Sequence, residues 1–543
     1  MLNVKSQPHT TSQHSEILDR IAEHAMLTPE APALQGSHET LSYAELQRRI
    51  DTLSIRLQAS GFSQLGLLMD NCPEWVICQL AAMHADICVT PIPLFFNSSQ
   101  IHHLLDSCGI ELIICDQLSR LNTLSIDTIL RQDIHSGAVR RRSANLRSPS
   151  LSRHPDTRLI TFTSGTTEQP KGVCLSNTAL DRLCQSLYQE IEPLQIERHT
   201  SVLPLSVLLE HVAGVLLSLY AGAQCSIYPA QQTGLSGSGQ LNLERFAALL
   251  QNTQPQSLIL VPELLQVLVG LAGRGMTPES LRFVAVGGGH IAPQLLRQAE
   301  ALSLPVYEGY GLSECGSVVS LNTPQQHCRG SVGRALPHCQ IMLSEQQEIL
   351  VKGARMLGYL GENEQQGEWL ATGDIGHLDD AGFVYIQGRK RNVLINSFGR
   401  NLSPEWIESE LCASPAIAQA CLFGDAKPFN IALLTPAASG SATIDSRKAI
   451  YDWIEQLNSR LPDYARVVDW ISTSTPFSCA NDLLTPNGRL RRVPIQRRYE
   501  QAIEACYQQW QTDSASPFSA SVKELAPFDQ QITQPRQHSL AQE

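Results

Sequence analysis

Long hydrophobic runs are missing from this chain of 543 residues. No apolar stretch reaches the ~18 to 20 residues that a membrane-spanning helix requires, so we expect no transmembrane segment. Residues 1–15 are polar, hold a single lysine and lack the apolar core of a signal peptide. These absences favour a cytoplasmic protein and leave peripheral contact with a membrane surface open.

An excess of positive charge and paired cysteines are also missing. Lysine and arginine number 40 against 52 aspartates and glutamates, and the net charge of −12 argues against nucleic-acid binding. The 15 cysteines are scattered without a C-x-x-C pair or matching histidines, which argues against a disulfide framework and a zinc site. A hydrophobic content of 43% is typical of a globular protein, and the length requires at least two domains.

Short apolar runs alternate with helical patterns in the first part of the chain. Runs at residues 65–69, 87–89 and 112–115 predict strands, and residues 73–83 and 100–105 predict helices. Such alternation predicts an α/β protein with a mainly parallel sheet.

Two segments predict surface loops. Residues 231–239 are rich in glycine, serine and glutamine, a composition typical of an exposed connection. Arg140, Arg141, Arg142 and Arg147 form a basic stretch. That stretch is either a solvated linker or a contact for anionic lipid or a carrier protein.

A stretch rich in serine, threonine and glycine follows the apolar run that ends at Ile160. Its members are Thr163, Ser164, Gly165, Thr166 and Thr167, and it closes with Pro170, Lys171 and Gly172. Backbone N–H groups and hydroxyls in such a stretch can surround an anion, and the lysine adds a point charge that suits phosphate. It is not a Walker loop, because no Gly-Lys-Ser/Thr sequence ends it. The alternative is a polar surface turn, and the Pro-Lys-Gly ending argues against it.

Three later segments add groups that suit a nucleotide. A β-branched run precedes Gly287 and Gly288, and glycines after a strand permit close approach of a ligand. Tyr310, which stands between glycines, can present its ring to a purine, and Glu314 is an oxygen ligand of the kind Mg²⁺ accepts. A Thr-Gly turn precedes Asp374, whose carboxylate can accept ribose hydroxyls. Taken singly, each segment is also an ordinary glycine-rich turn.

In this order, the motifs resemble those of the adenylate-forming superfamily of AMP-binding enzymes, and most closely its long-chain fatty acyl-CoA synthetases. The resemblance covers roughly residues 15–510. It implies a large, multi-layered α/β N-terminal domain at residues 16–388 and a small α+β C-terminal domain at residues 394–511, joined by a hinge at 389–393. Residues 1–15 are expected to be a flexible tail, and residues 512–543 a disordered one.

The resemblance also implies the members of the active site. The implied ATP site comprises Thr163, Ser164, Gly165, Thr166, Thr167, Lys171, Gly288, Glu308, Gly309, Tyr310, Gly311, Ser313, Asp374 and Arg389. The implied catalytic residues are Lys171, Glu314 and Arg489, and the implied Mg²⁺ ligands are Glu314 and Thr163. The implied acyl pocket holds Val207, Gly287 and Gly288. The implied hinge residue is Arg391, and the residues implied to meet the thiol of coenzyme A are Phe398 and Gly399.

Four positions depart from the family pattern. Glu168 replaces a glycine, Ser313 a threonine, Val207 a histidine or aromatic residue, and Arg489 the catalytic lysine. Arginine stays charged and binds oxyanions in a fork, but its guanidinium is bulkier and planar. Serine keeps the hydroxyl group of threonine.

The implied reaction is ATP-dependent activation of a medium- or long-chain carboxylic acid to an acyl-adenylate, followed by thioester formation with coenzyme A. The expected participants are ATP, Mg²⁺, coenzyme A and a small-molecule carboxylate, without nucleic acid. Two alternatives stay open: an enzyme that loads an acyl carrier protein, and a nucleotide- or lipid-binding paralogue without turnover. The residues at 168, 207 and 489 motivate the paralogue.

Overall fold

The computed structural model describes most of the chain as two compact units. Described are residues 15–117, 120, 133–134, 137–141, 151–163, 170–236, 240–362, 367–395, 401–437, 444–485 and 488–512. The larger unit consists of the described chain up to Arg391 together with Gly488 and Arg489. The smaller unit begins at Asn392. The larger unit layers helices on sheets and the smaller unit mixes helices with a short sheet, so the predicted fold class is confirmed.

The first large sheet has nine strands among the described residues, and the block of six at its centre is parallel. In spatial order the strands are Arg334–Ala335, Ser320–Leu321, Val306–Tyr310, Phe283–Val286, Ser257–Leu260, Arg198–Ser201, Gln224–Ile227, Pro32–Gln35 and Thr40–Ser42. The parallel block extends from Val306–Tyr310 to Pro32–Gln35. Because parallel neighbours end at the same edge of a sheet, the segments that follow two such strands lie side by side.

The second large sheet has eight described strands around a parallel centre. In spatial order they are Gly358–Tyr359, Lys171–Leu175, Leu159–Thr163, Cys88–Pro91, Gln64–Leu68, Leu112–Cys115, Gly137–Arg141 and Asp133–Ile134. The parallel strands are the four from Leu159–Thr163 to Leu112–Cys115. Three of them match the predicted strands at 65–69, 87–89 and 112–115, since strands buried on both faces are continuous apolar runs.

The basic stretch before the phosphate loop is not entirely a loop. Arg140 and Arg141 belong to the strand Gly137–Arg141, in which Arg140 pairs with Ile113 of the neighbouring strand. The loop prediction is therefore wrong for these two residues, because backbone pairing with a distant strand outweighs local composition. Arg142 and Arg147 lie outside the described residues.

The predicted loop at 231–239 also contains regular structure. A short helix, Ala230–Thr233, is followed by a hairpin in which Leu235–Ser236 pairs with Gln240–Leu241. The loop prediction is wrong for residues 231–233 and 235–236, because the strand that pairs with Leu235–Ser236 lies just beyond the predicted segment.

Helices pack against the sheets of the larger unit. The α-helices are Glu16–Leu27, Tyr43–Ser60, Pro73–His84, Ser98–Cys108, Asn177–Ile191, Leu217–Ala221, Ala230–Thr233, Leu243–Thr253, Pro262–Ala272 and Pro293–Ala301. Single 3₁₀ turns lie at Glu192–Leu194 and Ser313–Cys315, and a π-helix at Glu210–Leu216. Helix Pro73–His84 is buried along nearly its whole length, as expected for a helix that is apolar on every side. None of the described helices is both long and apolar enough to cross a bilayer.

A third, antiparallel sheet completes the larger unit. Its strands are Cys339–Leu343, Glu348–Gly353, Leu370–Leu378 and Val384–Arg389. In the last pair, Asp374 and Arg389 are register partners. Antiparallel pairing therefore brings together two predicted site residues that are not adjacent in the sequence.

The smaller unit has a three-stranded sheet covered by helices. The strands are Ile417–Phe423, Asn430–Pro436 and Val467–Ser472, with a hairpin of Leu394–Ile395 and Asn401–Leu402. The helices are Pro404–Cys412, Ile444–Asn458 and Arg492–Thr512, with a 3₁₀ turn at Asp463–Ala465. A buried ion pair joins the first and last helices, because Arg492 Nη2 lies 2.6 Å from Glu408 Oε2.

Candidate active site

Two parallel strands of the nine-stranded sheet end beside each other. Val286 and Glu308 are register partners, so Gly287 and Gly309 follow at the same edge. A Cβ on Gly287 would lie 3.2 Å from the Gly309 carbonyl oxygen, which measures how closely the two backbones approach. Gly288 has a φ of +82°, in the left-handed region that glycine favours. The carboxyl ends of parallel strands are where open α/β sheets bind ligands.

A tight turn after this edge positions Glu314. An added Cβ on Gly311 would lie 1.7 Å from the Ser317 carbonyl oxygen, so only glycine fits there. Ser313 then begins the 3₁₀ turn that carries Glu314. The Glu314 carbonyl accepts a hydrogen bond from Met356 N–H at 2.7 Å, which ties the turn to a later segment of the chain.

Tyr310, Asp374 and Arg389 form one cluster. Tyr310 Oη donates a hydrogen bond to Asp374 Oδ2 at 2.6 Å, and Arg389 Nε lies 2.9 Å from Asp374 Oδ1. Arg389 Nη1 also donates to the Thr372 carbonyl at 3.2 Å. Asp374 is 3% exposed, so both contacts are shielded from water. Burial and the adjacent Asp374 carboxylate hold the pKa of Tyr310 well above its usual range, which keeps the hydroxyl a donor.

A second cluster joins Lys171 to Glu314 through Tyr359, a residue the sequence did not single out. Tyr359 Oη donates to Glu314 Oε1 at 2.8 Å, and Lys171 Nζ lies 4.8 Å from the centre of the Tyr359 ring. Lys171 Nζ also lies 3.0 Å from Glu362 Oε1, in an ion pair whose side chains are 49% and 54% exposed. Burial, followed by the charge of Glu314, raises the pKa of Tyr359. The structure therefore brings two predicted catalytic residues into one cluster.

The predicted phosphate loop is closed at its base by a strand pair. Thr163 and Lys171 are register partners at the ends of two antiparallel strands, so the chain between them leaves and re-enters the sheet at adjacent positions. Within that loop, Ser164, Gly165, Thr166 and Thr167 lie outside the described residues, and so do Phe398 and Gly399. The roles of these six residues stay predictions.

Glu308 and Arg489 have perturbed pKa values. Burial raises the pKa of Glu308 to about 7, and a hydrogen bond from the Gly330 backbone opposes that rise. Part of the Arg489 side chain is exposed. Desolvation and then the guanidinium of Arg389 lower the pKa of Arg489, whereas Asp374 and Glu314 raise it. Arg489 therefore lies in the electrostatic surroundings of both clusters of the larger unit.

The segment that carries Val207 is held by a buried hydrogen-bond network. Glu210 is 0% exposed, accepts a hydrogen bond from Leu203 N–H at 3.1 Å, and places Oε1 2.9 Å from His199 Nε2. Gly214 leaves the room that this network needs, since an added Cβ would lie 2.3 Å from Glu210 Oε1. Val207 itself is partly buried and lies just before the π-helix. Its role in an acyl pocket stays a prediction.

Arg391 ends the long continuous part of the larger unit, and Asn392 begins the smaller unit. The Arg391 side chain is exposed. A hinge function requires motion between two states, so that role also stays a prediction.

Comparison with known protein families identifies the chain. The AMP-binding enzyme family matches residues 21–362, and the C-terminal domain of AMP-binding enzymes matches residues 391–511. The chain belongs to the AMP-binding enzyme family. The resemblance predicted from the motifs is thereby confirmed, and the two matched regions correspond to the larger and smaller parts of the adenylate-forming fold.

Individual relatives of this AMP-binding enzyme act on several kinds of acid. The indoleacetate–CoA ligase of Aromatoleum aromaticum is 26% identical over an alignment of 451 residues that covers 76% of this chain and 84% of the relative. The human long-chain-fatty-acid–CoA ligase 6 is 25% identical over an alignment of 582 residues, gaps included, that covers 87% of this chain and 83% of the relative. The o-succinylbenzoate coenzyme A synthetase of Bacillus subtilis, solved in complex with ATP and magnesium ion, superimposes with a TM-score of 0.69 at 23% identity. That superposition covers 87% of this chain and 98% of the synthetase.

Proposed function

We propose that this AMP-binding enzyme is an acid–CoA ligase that works through an acyl-adenylate. The observation that carries the proposal is the presence in the larger unit of two clusters whose charges both act on Arg489. One cluster holds Tyr310, Asp374 and Arg389, and the other holds Lys171 and Glu314. The first offers a ring, a carboxylate and a guanidinium for a nucleoside, and the second offers charges for its phosphates. The relatives named above, which are acid–CoA ligases, support the same reaction.

The proposed reaction has two bond exchanges. A carboxylate oxygen of the acid attacks the α-phosphorus of ATP, a new P–O bond forms, and the bond to the β-phosphate breaks to release pyrophosphate. The sulfur of coenzyme A then attacks the acyl carbon, the C–O bond to AMP breaks, and the thiol proton passes to solvent. Dividing the reaction in this way converts the carboxylate, which is a poor electrophile, into the acyl-adenylate, which is a good one.

Lys171 and Arg489 supply positive charge to the first exchange. Phosphoryl transfer depends on positioning and on offsetting the negative charge of the transition state, and fixed cations do both. Asp374 accepts the ribose hydroxyls, Arg389 steadies Asp374, and the Tyr310 ring stacks on the adenine. The glycines at 287, 288, 309 and 311 leave backbone open for the nucleotide and the acyl group.

We propose that Glu314 and Thr163 would hold Mg²⁺ beside the phosphates, and the geometry of Glu314 suits this role. Glu314 Oε1 is occupied by the Tyr359 hydroxyl, and Oε2 has no hydrogen-bond partner among the described residues. A carboxylate with one oxygen held and the other available suits an ion that takes one or two protein ligands and keeps its water. When bound, Mg²⁺ supplies positive charge that offsets the charge of the phosphates.

The second exchange is assigned to the smaller unit. We propose that Arg391 is its hinge and that Phe398 and Gly399 line the approach of the coenzyme A thiol. A short polar segment between two folded units can absorb the backbone rotation of such a change. The protein is proposed to be cytoplasmic, with contact at a membrane surface left to experiment.

A medium- or long-chain alkanoic acid is the proposed substrate. The human relative that acts on long-chain fatty acids supports it, and so does the resemblance of the sequence motifs to those of long-chain fatty acyl-CoA synthetases. The indoleacetate ligase is equally similar and makes an aryl acid the competing substrate class. Val207 supports an open acyl pocket, because valine is smaller than the histidine or aromatic residue it replaces.

Carboxylate-dependent release of pyrophosphate tests the proposal. Purified protein with ATP and Mg²⁺ is assayed against alkanoates from two to sixteen carbons, indoleacetate and 2-succinylbenzoate, and then with coenzyme A or an acyl carrier protein as acceptor. We expect release that peaks at about ten or more carbons and a thioester with coenzyme A. A peak on the aryl acids would overturn the substrate class, thioester formation on the carrier protein alone would overturn the acceptor, and no release with any acid would overturn the enzyme.

A further inference from the structure

Tyr359 lies between two charged side chains of the proposed phosphate site. Its hydroxyl is 2.8 Å from Glu314 Oε1, and the face of its ring is 4.8 Å from Lys171 Nζ. Glu314 follows a strand of the nine-stranded sheet, and Lys171 begins a strand of the eight-stranded sheet. One side chain therefore spans the gap between residues that two different sheets present.

The backbone around Tyr359 is fixed independently of its side chain. Tyr359 pairs with Val173 in the strand register, and Leu360 N–H donates to the Gly172 carbonyl at 2.8 Å. On the other side, Met356 N–H donates to the Glu314 carbonyl at 2.7 Å. These backbone bonds hold the segment in place whatever stands at position 359, so a change of the side chain alone leaves the strand pairing intact.

The chemistry of a tyrosine suits both contacts at once. A phenol donates one hydrogen bond through its hydroxyl and attracts a cation through its ring face, and only two side-chain torsions need to be fixed. A tyrosine hydroxyl with an ordinary pKa of about 10 is protonated at physiological pH, so it can donate to the Glu314 carboxylate. A phenylalanine keeps the ring contact and loses the donor, and a leucine loses both.

We propose that Tyr359 is a positioning residue of the phosphate site. Its hydroxyl holds one carboxylate oxygen of Glu314, which would leave the other oxygen available to a metal ion, and its ring holds Lys171 at a set distance from that carboxylate. The inference rests on the proposed function, since Glu314 and Lys171 act on the phosphates of ATP there. The inference adds Tyr359 to the proposed phosphate site, a residue that neither the strand order nor the phosphate-loop sequence indicates.

The test compares Tyr359→Phe and Tyr359→Leu with the matched control Tyr220→Phe. Tyr220 also donates its hydroxyl to a glutamate, with Oη 2.5 Å from Glu16 Oε1, in a part of the larger unit outside both clusters. The readouts are the Mg²⁺ concentration at half-maximal pyrophosphate release, the KM for ATP, and Mg²⁺-dependent binding of ATP measured by calorimetry. Binding does not require turnover, so it separates this proposal from the proposed function.

A hydrogen bond to a charged group contributes about 1.5–3 kcal/mol, or at least about tenfold in a binding constant. For Tyr359→Phe we therefore expect about a tenfold rise in the half-maximal Mg²⁺ concentration, with the KM for ATP at saturating Mg²⁺ changed less than threefold. Tyr359→Leu is expected to show the same Mg²⁺ effect and, in addition, a severalfold rise in the KM for ATP because Lys171 loses its ring contact. Tyr220→Phe is expected to change neither quantity.

An unchanged Mg²⁺ dependence in Tyr359→Phe, or an equal change in Tyr220→Phe, would overturn the positioning role. If the wild-type protein binds ATP with Mg²⁺ but releases no pyrophosphate with any acid, the proposed function fails and the calorimetric comparison still decides the role of Tyr359. If the wild-type protein does not bind ATP at all, both proposals fail.

Discussion

Tyr310 Oη and Asp374 Oδ2 lie 2.6 Å apart although 64 positions separate the two residues in the chain. The contact connects an edge of the nine-stranded sheet to the antiparallel sheet that pairs Asp374 with Arg389. Asp374 thus has both of its oxygens engaged by residues of the site, and a bound ribose would have to share them.

Replacing Asp374 by asparagine should weaken nucleotide binding. Asp374→Asn keeps the size of the side chain but removes the charge opposite Arg389 and one acceptor for the ribose. Since a hydrogen bond to a charged group is worth about 1.5–3 kcal/mol, we expect kcat/KM for ATP to fall by about ten- to a hundredfold. Tyr310→Phe, which leaves the Asp374–Arg389 pair intact, should have the smaller effect. Steady-state kinetics with ATP as the varied substrate would refute the ribose role if Asp374→Asn matched the wild type.

Removal of either charge in the second cluster should impair adenylation. Lys171→Ala and Glu314→Ala are each expected to lower the rate of pyrophosphate release by ~10²–10³, because fixed charges at the transferring phosphoryl group commonly contribute that much. Circular dichroism and thermal unfolding would confirm that the variants are folded, as expected for Lys171, whose side chain is half exposed. A variant with nearly unaltered release would lose its assigned role.

Loss of the Glu362 charge should make Lys171 more available to phosphate. Lys171 Nζ is 3.0 Å from Glu362 Oε1, and ATP must compete with that carboxylate. An exposed ion pair is worth about 0.2–1 kcal/mol, so Glu362→Gln should lower the KM for ATP by no more than about fivefold. Glu368→Gln is the matched control, because Glu368 forms an exposed pair with Lys352 at 2.8 Å. A KM that rises in Glu362→Gln, or falls equally in the control, would contradict the competition.

Glu308 should make the protein less stable as the pH rises. Burial raises the pKa of this carboxyl from 4.5 to about 7, so between these values the folded state binds the proton more tightly than the unfolded chain does. The stability contribution is present below about pH 4.5 and is lost as the pH rises to about 7, at a cost on the order of 3 kcal/mol. Glu308→Gln should therefore unfold at a higher temperature than the wild type at pH 8 and at nearly the same temperature at pH 4.5. Glu279→Gln, an exposed control, should show no such divergence, and parallel curves for Glu308→Gln would refute the prediction.

The two half-reactions should respond differently to changes of Arg489. Arg489 lies in the electrostatic surroundings of Asp374 and Glu314, where a cation favours adenylate formation. Arg489→Ala should cripple pyrophosphate release yet still convert a supplied acyl-adenylate to its thioester, whereas Arg489→Lys should retain or raise the first rate. Arg491→Ala is the control, because Arg491 pairs with Asp482 instead. Equal loss of both half-reactions, or loss in neither, would leave Arg489 as an ordinary solvated arginine.

The family and the fold class could be predicted from local sequence, because short motifs indicate the family and the pattern of apolar residues indicates strands and helices. The continuous apolar run at 112–115 predicts a strand buried on both faces, and the strand Leu112–Cys115 has those bounds. The order of the motifs from Thr163 to Arg489 predicts an AMP-binding enzyme, and the family matches over residues 21–362 and 391–511 confirm that prediction. Local composition misled where a distant partner decided the structure, as it did for the strand that includes Arg140.

The sequence by itself determined which residues can bind phosphate, ribose and metal, since those abilities belong to side-chain types and to short motifs. Only the tertiary structure decided which of them meet. Tyr359 stands 45 positions from Glu314, and no periodicity or motif indicates that its hydroxyl reaches that carboxylate. Glu362 and His199 were missed for the same reason, because their contacts with Lys171 and Glu210 depend on how the chain packs and not on what precedes each residue in the sequence.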